Sequence, residues 1–505
     1  MKKKIFMTGA SGGMGKQSLK QMIENLDLFE LTILAMDTKR DREILEEYHK
    51  YPEITIYFGD VLDYELIKKC IRETDLVIHI AAFVSPAADY FPKKAMEINY
   101  GSVRNIINSI FELEQEEKTK LVTIGTVAQT GDRMPPIHWG RVGDPIKTSM
   151  FDYYAVSKVA AERLVIESGL KYWVSLRQTG IMGAAMSKVA DAIMFHNCLD
   201  NVLEYVSDRD SGRLMSNLSK YESSGELPES FWNHIYNIGG GESCRVSTYE
   251  MYKVLYSKLG FTNLDRVINP KWYATRNFHG QYFLDSDKLN DYLNFRSDGM
   301  EYFYDCYLEN LGHTVSLLRF INRIPGGQKI MGSLMKKKFL KHAKTEHGTV
   351  RFIEDNVEDH IDAYWGRRKY WENIPNKISD FDHFKEWNKK IVLDHGYNEE
   401  QPMDELTIDD IDKAAKFRGG ECLSSSMEKG NWSEKLLFKC AFGHSFTGSS
   451  KLILEGGHWC PVCERNSWNY GERAKKDPFF AQVWNPLHDE NEMRIYKKMV
   501  SELDV

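Results

Sequence analysis

Three groups of residues in this chain have types and spacings suited to chemistry. Tyr154 and Lys158 stand four residues apart in Tyr154-Ala155-Val156-Ser157-Lys158, which puts a phenol and an ammonium on one helix face about a turn apart. A phenol with an ordinary pKa near 10 is a poor acid or base at neutral pH, and a neighbouring cation favours its phenolate. Tyr154 is the candidate proton shuttle, while Tyr153 points elsewhere. The second group is Thr8-Gly9-Ala10-Ser11-Gly12-Gly13-Met14-Gly15, between a predicted strand and a predicted helix. Gly9 permits a tight turn, Gly12 lets the backbone approach a pyrophosphate, and Gly15 allows close helix-to-strand packing. Ser11, Gly13 and Met14 complete this candidate cofactor loop, and the helix N-terminus supplies amide donors. A Walker phosphate loop would need a glycine in place of Ala10 and a Ser or Thr in place of Gln17. Asp37 closes the second predicted strand where a carboxylate accepts from adenosine ribose hydroxyls. That favours NAD, with NADP kept open by Lys39 and Arg40.

The third group is Cys440, His444, Cys460 and Cys463. Two ligand pairs separated by fifteen residues can close a tetrahedral shell of three thiolates and one imidazole, the arrangement of a structural zinc. Residues 446–454 read as a short hairpin between the pairs. His458 is a possible substitute ligand; two residues from Cys460, it reads first as a surface group or a support for a ligand. The flanking Phe417-Arg418-Gly419-Gly420 and Gly456-Gly457-His458-Trp459 look like a zinc-ribbon or treble-clef module.

These groups need a scaffold. Strand patterns over 4–7, 31–36, 54–58, 76–80, 121–124, 173–176 and 235–238 alternate with amphipathic stretches over 15–25, 95–113 and 153–168. The alternation predicts an α/β fold with a doubly wound Rossmann parallel sheet. We divide the chain into a dinucleotide-binding domain over 1–310 with a cap at about 183–232 and 245–310, a helical, aromatic-rich segment over 311–404, and a small zinc-binding domain over 405–505. The segment over 311–404 carries no motif. Its Lys336-Lys337-Lys338, beside Leu334, Met335, Phe339 and Leu340, reads as a solvated helix face, with an interfacial amphipathic helix as the alternative.

Composition narrows the partners. The 505 residues carry a formal charge of −7, and residues 405–505 hold 14 Lys plus Arg against 16 Asp plus Glu, so neither the chain nor the zinc module has the basic surplus of a nucleic-acid binder. No apolar run approaches a membrane span. Eight cysteines are too few for a disulfide scaffold, and the apolar stretch after Lys2-Lys3-Lys4 ends at Thr8, too soon for a signal peptide. The expected location is the cytoplasm.

Taken in order, the Thr8 to Gly15 turn, Gly59-Asp60-Val61, His79-Ile80-Ala81-Ala82, Asn99-Tyr100-Gly101, Thr126, Tyr154 to Lys158, Leu176-Arg177, Asp208-Arg209-Asp210 and Tyr236 to Glu242 resemble an extended short-chain dehydrogenase/reductase of the epimerase/dehydratase branch. The resemblance covers roughly residues 1–300. It implies that Asp60 and Val61 lie along the adenine, that Ala81 and Ala82 line the path beneath the nicotinamide half, and that Asn99 supports the active-site helix. It also implies that Thr126 donates to the substrate oxygen, that Tyr154 moves the proton, and that Lys158 holds the nicotinamide ribose and lowers the Tyr154 pKa. A homodimer through the helices of Ala95 and Tyr153 is the further implication.

Dehydratases of this branch place an Asp-Glu pair after the hydroxyl residue, where this chain has Val127-Ala128; the serine-rich strand end of epimerases is replaced by Ile124-Gly125. The leading expectation is therefore hydride transfer between an alcohol and a ketone on a small-molecule substrate. Met182, Met186, Ile193, Met194 and Phe195 hint that this substrate is apolar. A nucleotide-sugar epimerase or dehydratase is the alternative, and a cofactor-sensing protein that binds a partner through the zinc module is the second.

Overall fold

A computed structural model describes residues 2–184, 186 and 191–499. Positions 185 and 187–190 of the expected cap, and 500–505 of the expected C-terminal module, lie outside the described residues. Seven strands, β1 (Lys3–Thr8), β2 (Phe29–Ala35), β3 (Ile54–Phe58), β4 (Leu76–His79), β5 (Lys120–Thr126), β6 (Trp173–Gln178) and β7 (His234–Ile238), form one sheet in the order β7-β6-β5-β4-β1-β2-β3. Every pairing is parallel, as the seven predicted strands require. Both faces are covered, so alternate residues of one strand enter different cores. Ile5 and Met7 join Leu31, Ile78 and Val122 on one side, while Phe6 joins Val77, Leu121 and Trp173 on the other.

The crossover helices include α1 (Gly13–Met22), α2 (Tyr64–Ile71), α3 (Pro92–Glu112) and α4 (Tyr153–Ile166). The start of α4 is set by Asp152, whose side chain accepts from Ala155 N at 2.8 Å. A further helix, α5 (Asp208–Ser224), lies inside the stretch expected to be cap. It covers the sheet instead: Leu214, Met215 and Leu218 share a core with Ile5 and Leu31. Gly212 makes this possible, because a Cβ there would sit 2.5 Å from the Gln17 carbonyl carbon of α1. The helical periodicity was real, but it belonged to the layer behind the sheet.

Residues 311–404 begin with the helical hairpin α6 (His313–Arg323) and α7 (Gly327–Ala343), followed by short helices Thr349–Glu354, Glu358–Trp365 and Arg368–Glu372. In the C-terminal region the hairpin is shifted from its expected place. Strands β8 (Lys435–Lys439) and β9 (Ser445–Ser449) pair antiparallel, so Cys440 to His444 forms their connection, while Lys451–Glu455 is a single π-helical turn. Among the described residues no helix is long and apolar enough to cross a membrane.

Candidate active site

At the end of β1, Gly9 adopts φ +78°, and a Cβ there would lie 2.6 Å from Ala81 N; at Gly15 it would lie 2.0 Å from Gly9 O. Only glycine lets this turn close against the end of β4 and lets α1 start directly above it. Ser11, Gly12 and Gly13 form the tip, and a Cβ at Gly13 would meet nothing within 4 Å, so the amide face there is open. Met14 differs from its neighbours: its side chain is in the core, 5% exposed, and only its backbone can face a ligand. Asp37, exposed just after β2, accepts from Arg42 Nε at 2.6 Å, which holds its carboxyl below the usual range. Asp60 accepts from Leu62 N at 2.9 Å beside half-buried Val61, and half-buried Ala81 and Ala82 follow β4. All of these lie at the C-terminal edge of β1 to β4. The strand order reverses between β1 and β4, and doubly wound sheets bind ligands at such a reversal.

A hydrogen-bond chain ties this edge to the next layer. Thr8 Oγ1 meets His79 Nδ1 at 2.8 Å, His79 Nε2 meets Ser102 Oγ at 3.0 Å, and Ala81 N donates to Thr8 Oγ1 at 3.2 Å. Burial, reinforced by Lys158, pulls His79 down to about 3, so it is neutral at physiological pH.

Thr126, Tyr154 and Lys158 converge where β5 ends beside α4. Gln129 Oε1 accepts from Thr126 N at 2.8 Å and Thr126 Oγ1 accepts from Ala128 N at 3.2 Å, a capping box that fixes the hydroxyl. That hydroxyl lies beside the Tyr154 phenol and favours its phenolate. Lys158 Nζ donates to Ile124 O at 2.8 Å and lies 6.0 Å from the Tyr154 ring centroid. Burial pulls Lys158 down to about 8. Burial and then Asp152 push Tyr154 above its ordinary value, against the Thr126 hydroxyl. The lowering of Tyr154 expected from Lys158 is therefore not realised in this arrangement, where the ammonium is engaged by a main-chain carbonyl. Asn99, 1% exposed on α3, accepts from Phe83 N at 2.7 Å and donates to Ser157 Oγ at 2.9 Å. It clamps the loop after β4 to α4, one residue before Lys158.

A cavity of 960 Å³ begins at Asp152 and Tyr153, immediately before Tyr154. Asp89 accepts from Tyr154 N at 3.1 Å, and His279 Nδ1 meets Asp152 Oδ2 at 3.1 Å. Burial, then the Asp152 carboxylate, push the Asp89 carboxyl up. Ser149, 4% exposed, also lines the cavity, and its hydroxyl has no partner among the described residues. The far wall comes from the segment without a motif: His347, His360 and Tyr364 face inward, with Tyr364 OH 3.2 Å from His196 Nδ1. Lys497 and Met499 close the cavity from the C-terminal end. Of the five apolar residues expected at the substrate, only Ile193 lines it; Met182 and Phe195 are 0% exposed and belong to the core. The periodicity that suggested an apolar pocket was packing. No local spacing in the sequence joins Asp89, Asp152, Ser149 and His279, although Asp152 stands where a helix cap belongs.

In the C-terminal region the donor atoms of Cys440, His444, Cys460 and Cys463 all lie within 4.8 Å of one another. Cys440 Sγ is 3.9 Å from Cys463 Sγ, and His444 Nδ1 is 3.4, 3.6 and 3.4 Å from the sulfurs of Cys440, Cys460 and Cys463. A tetrahedron with metal–sulfur bonds near 2.3 Å and a metal–nitrogen bond near 2.0 Å has edges of about 3.8 and 3.5 Å. The donor set fits a metal of that kind. His458 is neither on the surface nor at the cluster: it is 0% exposed, and its Nε2 meets Glu162 Oε1 of α4 at 3.0 Å. Arg177 on β6 pairs with the same carboxylate at 2.6 Å and donates to Gly456 O at 2.7 Å. Burial alone would raise Glu162, but Arg177 and His458 hold it well below the usual range. Arg163, the next residue of α4, donates to Trp459 O and pairs with Glu464 at 3.2 Å.

The helices of Ala95 and Tyr153, expected to pair two copies, are covered in part by this same region. Tyr153 packs edge-on against Trp468 at 5.4 Å, and Met96 and Val156 share a core with Tyr470, Phe480 and Trp484.

Residues 6–208 match the model of the 3-beta hydroxysteroid dehydrogenase/isomerase family. Among curated proteins, a UDP-N-acetylglucosamine 4,6-dehydratase (inverting) of Campylobacter jejuni is 32% identical over 112 residues, 22% of this chain and 33% of its own length. A UDP-glucose 4-epimerase of Rickettsia bellii is 27% identical over 111 residues, 21% of this chain and 32% of its own. The chain thus spans about a third of the length of these relatives. Among solved structures, a dTDP-glucose 4,6-dehydratase from Streptomyces venezuelae with NAD and TYD bound aligns with a TM-score of 0.48 at 19% identity, over 61% of this chain and 98% of that one. The family match ends at residue 208, short of the Cys/His cluster. With the ordered motifs on one sheet edge, it supports an extended short-chain dehydrogenase/reductase assignment for the N-terminal part of the chain.

Proposed function

We propose that the protein is an NAD-dependent enzyme of the epimerase/dehydratase type acting on a nucleotide-activated sugar, in preference to an alcohol/ketone oxidoreductase with an apolar substrate. The observation that carries this reading is the wall of the cavity that begins at Asp152 and Tyr153; Tyr154, Thr126 and Lys158 do not line it, and Asp89, which accepts from Tyr154 N, links it to them. Among apolar residues such as Met150 and Met499 the wall presents carboxylates (Asp89, Asp152), imidazoles (His279, His360), an unpartnered hydroxyl (Ser149) and aromatic faces, and of the five apolar side chains expected at a substrate it includes only Ile193. Carboxylates and imidazoles bind sugar hydroxyls, and aromatic faces cover the apolar side of a sugar ring. The curated relatives named above, a dehydratase and an epimerase of UDP-sugars, support the same class.

The residues fit NAD. The open tip at Gly13 would receive the pyrophosphate, Asp37 the adenosine ribose, Asp60 and Val61 the adenine, and Ala81, Ala82 and Lys158 the nicotinamide half, with Gly12 holding the turn through its N–H to Gly9 O. Bound there, NAD supplies a hydride acceptor that can return the hydride later in the cycle. Thr126 would orient the reacting hydroxyl by hydrogen bonding, and Tyr154, as the phenolate, would take its proton. The Lys158 ammonium, turned from the Ile124 carbonyl toward the phenol, would stabilise the phenolate form of Tyr154 that accepts this proton. Asn99 holds this end of α4 against the β4 loop. The cluster of Cys440, His444, Cys460 and Cys463 is read as a structural zinc site, four donors with no position left for water.

The test is to incubate the enzyme, NAD and a panel of UDP- and dTDP-hexoses while following both proton NMR and absorbance at 340 nm. Conversion of a nucleotide sugar without net NADH is expected. Stoichiometric NADH from a simple alcohol, with the sugars inert, overturns the reading. Solvent deuterium entering the sugar ring marks dehydration; its absence marks epimerisation.

A further inference from the structure

The segment over 311–404 has a second face, away from the cavity. Between Glu309 and Glu346 there is no acidic side chain and there are eight Lys or Arg residues, in a chain whose formal charge is −7. These residues form the antiparallel hairpin α6/α7. Its inner face is anchored, with Val315 and Ala343 in a core against which Leu318, Met331, Met335 and Phe339 pack. Its outer face is not apolar-free, as a solvated helix face would be. On α6, Leu317 and Phe320 stand at i and i+3 and are 57% and 64% exposed, with Ile324, 47% exposed, just past the helix end; on α7, Ile330 and Leu334 recur at i, i+4 and are 63% and 55% exposed. That spacing makes one stripe on each helix. The stripe on α7 continues into Lys337, Lys338 and Lys341, all exposed, and the turn between the helices is exposed Pro325-Gly326. Among the described residues Arg323, Lys329, Lys337, Lys338 and Lys341 have no ion-pair partner.

We infer that this hairpin docks the protein on the surface of an anionic lipid bilayer, with the apolar residues around Pro325 entering the headgroup boundary and the lysines farther along α7 meeting the lipid phosphates. Exposed apolar side chains alone would suit many partners; their continuity with a strip of unpaired cations and the absence of any acid select a surface that is both apolar and negatively charged. No helix among the described residues can span a bilayer, so the contact is peripheral and reversible. This inference is independent of the proposed reaction, because none of these residues lines the cavity or the sheet edge.

Sedimentation of the full-length protein with phosphatidylcholine vesicles, with and without phosphatidylglycerol, tests it at low and high salt. Binding is expected only to the anionic vesicles and only at low salt. Lys337→Gln with Lys338→Gln should weaken it roughly 30-fold, about fivefold for each cation near the surface. Phe320→Ser with Ile330→Ser should weaken it at least about tenfold, from the apolar area no longer buried. These side chains are exposed, so melting temperature and NAD binding should stay at wild-type values and report that the variants fold. Equal binding to neutral and anionic vesicles, or none to either, overturns the inference. So does a dimer that Phe320→Ser dissociates without any vesicle binding, which gives the face to a second copy, or tighter binding to a DNA duplex than to vesicles, which gives the cations to nucleic acid.

Discussion

The glycine turn at the cofactor edge and the Cys/His region outside α4 are built on opposite plans. The glycine turn works through backbone: Gly9 and Gly15 remove side chains so that β1, β4 and α1 can close up, and the tip at Gly13 is left open. The Cys/His cluster works through side chains, closes its donors on one another, and grips α4 from outside through His458 to Glu162 and Glu464 to Arg163. An open loop is built to admit a ligand, and a closed one to hold a position. The comparison assigns chemistry to the first region and geometry to the second, and substitutions can separate them.

The largest expected effect is on the side of chemistry. Tyr154→Phe should lower kcat by about 10²- to 10⁴-fold, the usual worth of a positioned proton-transfer group, with NAD affinity unchanged. Retained turnover would move the base elsewhere. On the side of geometry, Arg177→Met should destabilise the fold by about 3–5 kcal/mol, because it leaves the buried Glu162 carboxylate without its guanidinium partner, facing only His458 and the Ser175 hydroxyl. Urea unfolding measures this, and a loss under about 1 kcal/mol would mean that the contact between the two regions is not a stabilising one. Cys463→Ser should lose stoichiometric zinc and lower the melting temperature while leaving NAD bound, since the cluster lies outside the cofactor edge.

A pH profile gives a smaller effect that sharpens the contrast. Burial puts Lys158 at about 8, below its ordinary 10.5, so the folded chain loses this proton first. Between about 8 and 10.5 the unfolded chain then binds more protons, and this group's contribution to stability rises with pH. Activity has the opposite sign, because the charged ammonium is the useful form: turnover should fall as pH rises through about 8, and Lys158→Arg should move that limb upward. A flat profile to pH 10 would contradict the role given to Lys158. The smallest effect concerns assembly. Because Trp468, Tyr470 and Phe480 cover part of the face of Tyr153 and Val156, light scattering is expected to return the 58.6 kDa monomer. A stable dimer through α3 and α4 would require that region to move aside.

What could be read in advance follows from how local each signal is. The seven strands were legible because a parallel sheet buried on both faces leaves near-continuous apolar runs. The glycine turn, the Tyr154–Lys158 pair and the Cys/His pairs were legible because their partners are within a few residues of one another. The cavity was not: Asp89, Asp152 and His279 are brought together by the fold over more than a hundred residues, and His347, His360 and Tyr364 come from a segment with no motif. His458 was misplaced for the same reason, since its partner Glu162 is 296 residues away. Apolar periodicity also misled twice, at α5 and at Met182 and Phe195, because a helix packed behind a sheet and a helix facing a substrate have the same pattern.

The central claim is that the glycine turn and the Tyr154 site form one NAD-dependent catalytic edge, and calorimetric titration of NAD into wild-type and Tyr154→Phe protein, paired with turnover of the same samples, tests it most directly. The account predicts one NAD per chain with equal affinity in both proteins and turnover only in the wild type. Failure of the wild-type protein to bind NAD, or equal turnover in both, would contradict it.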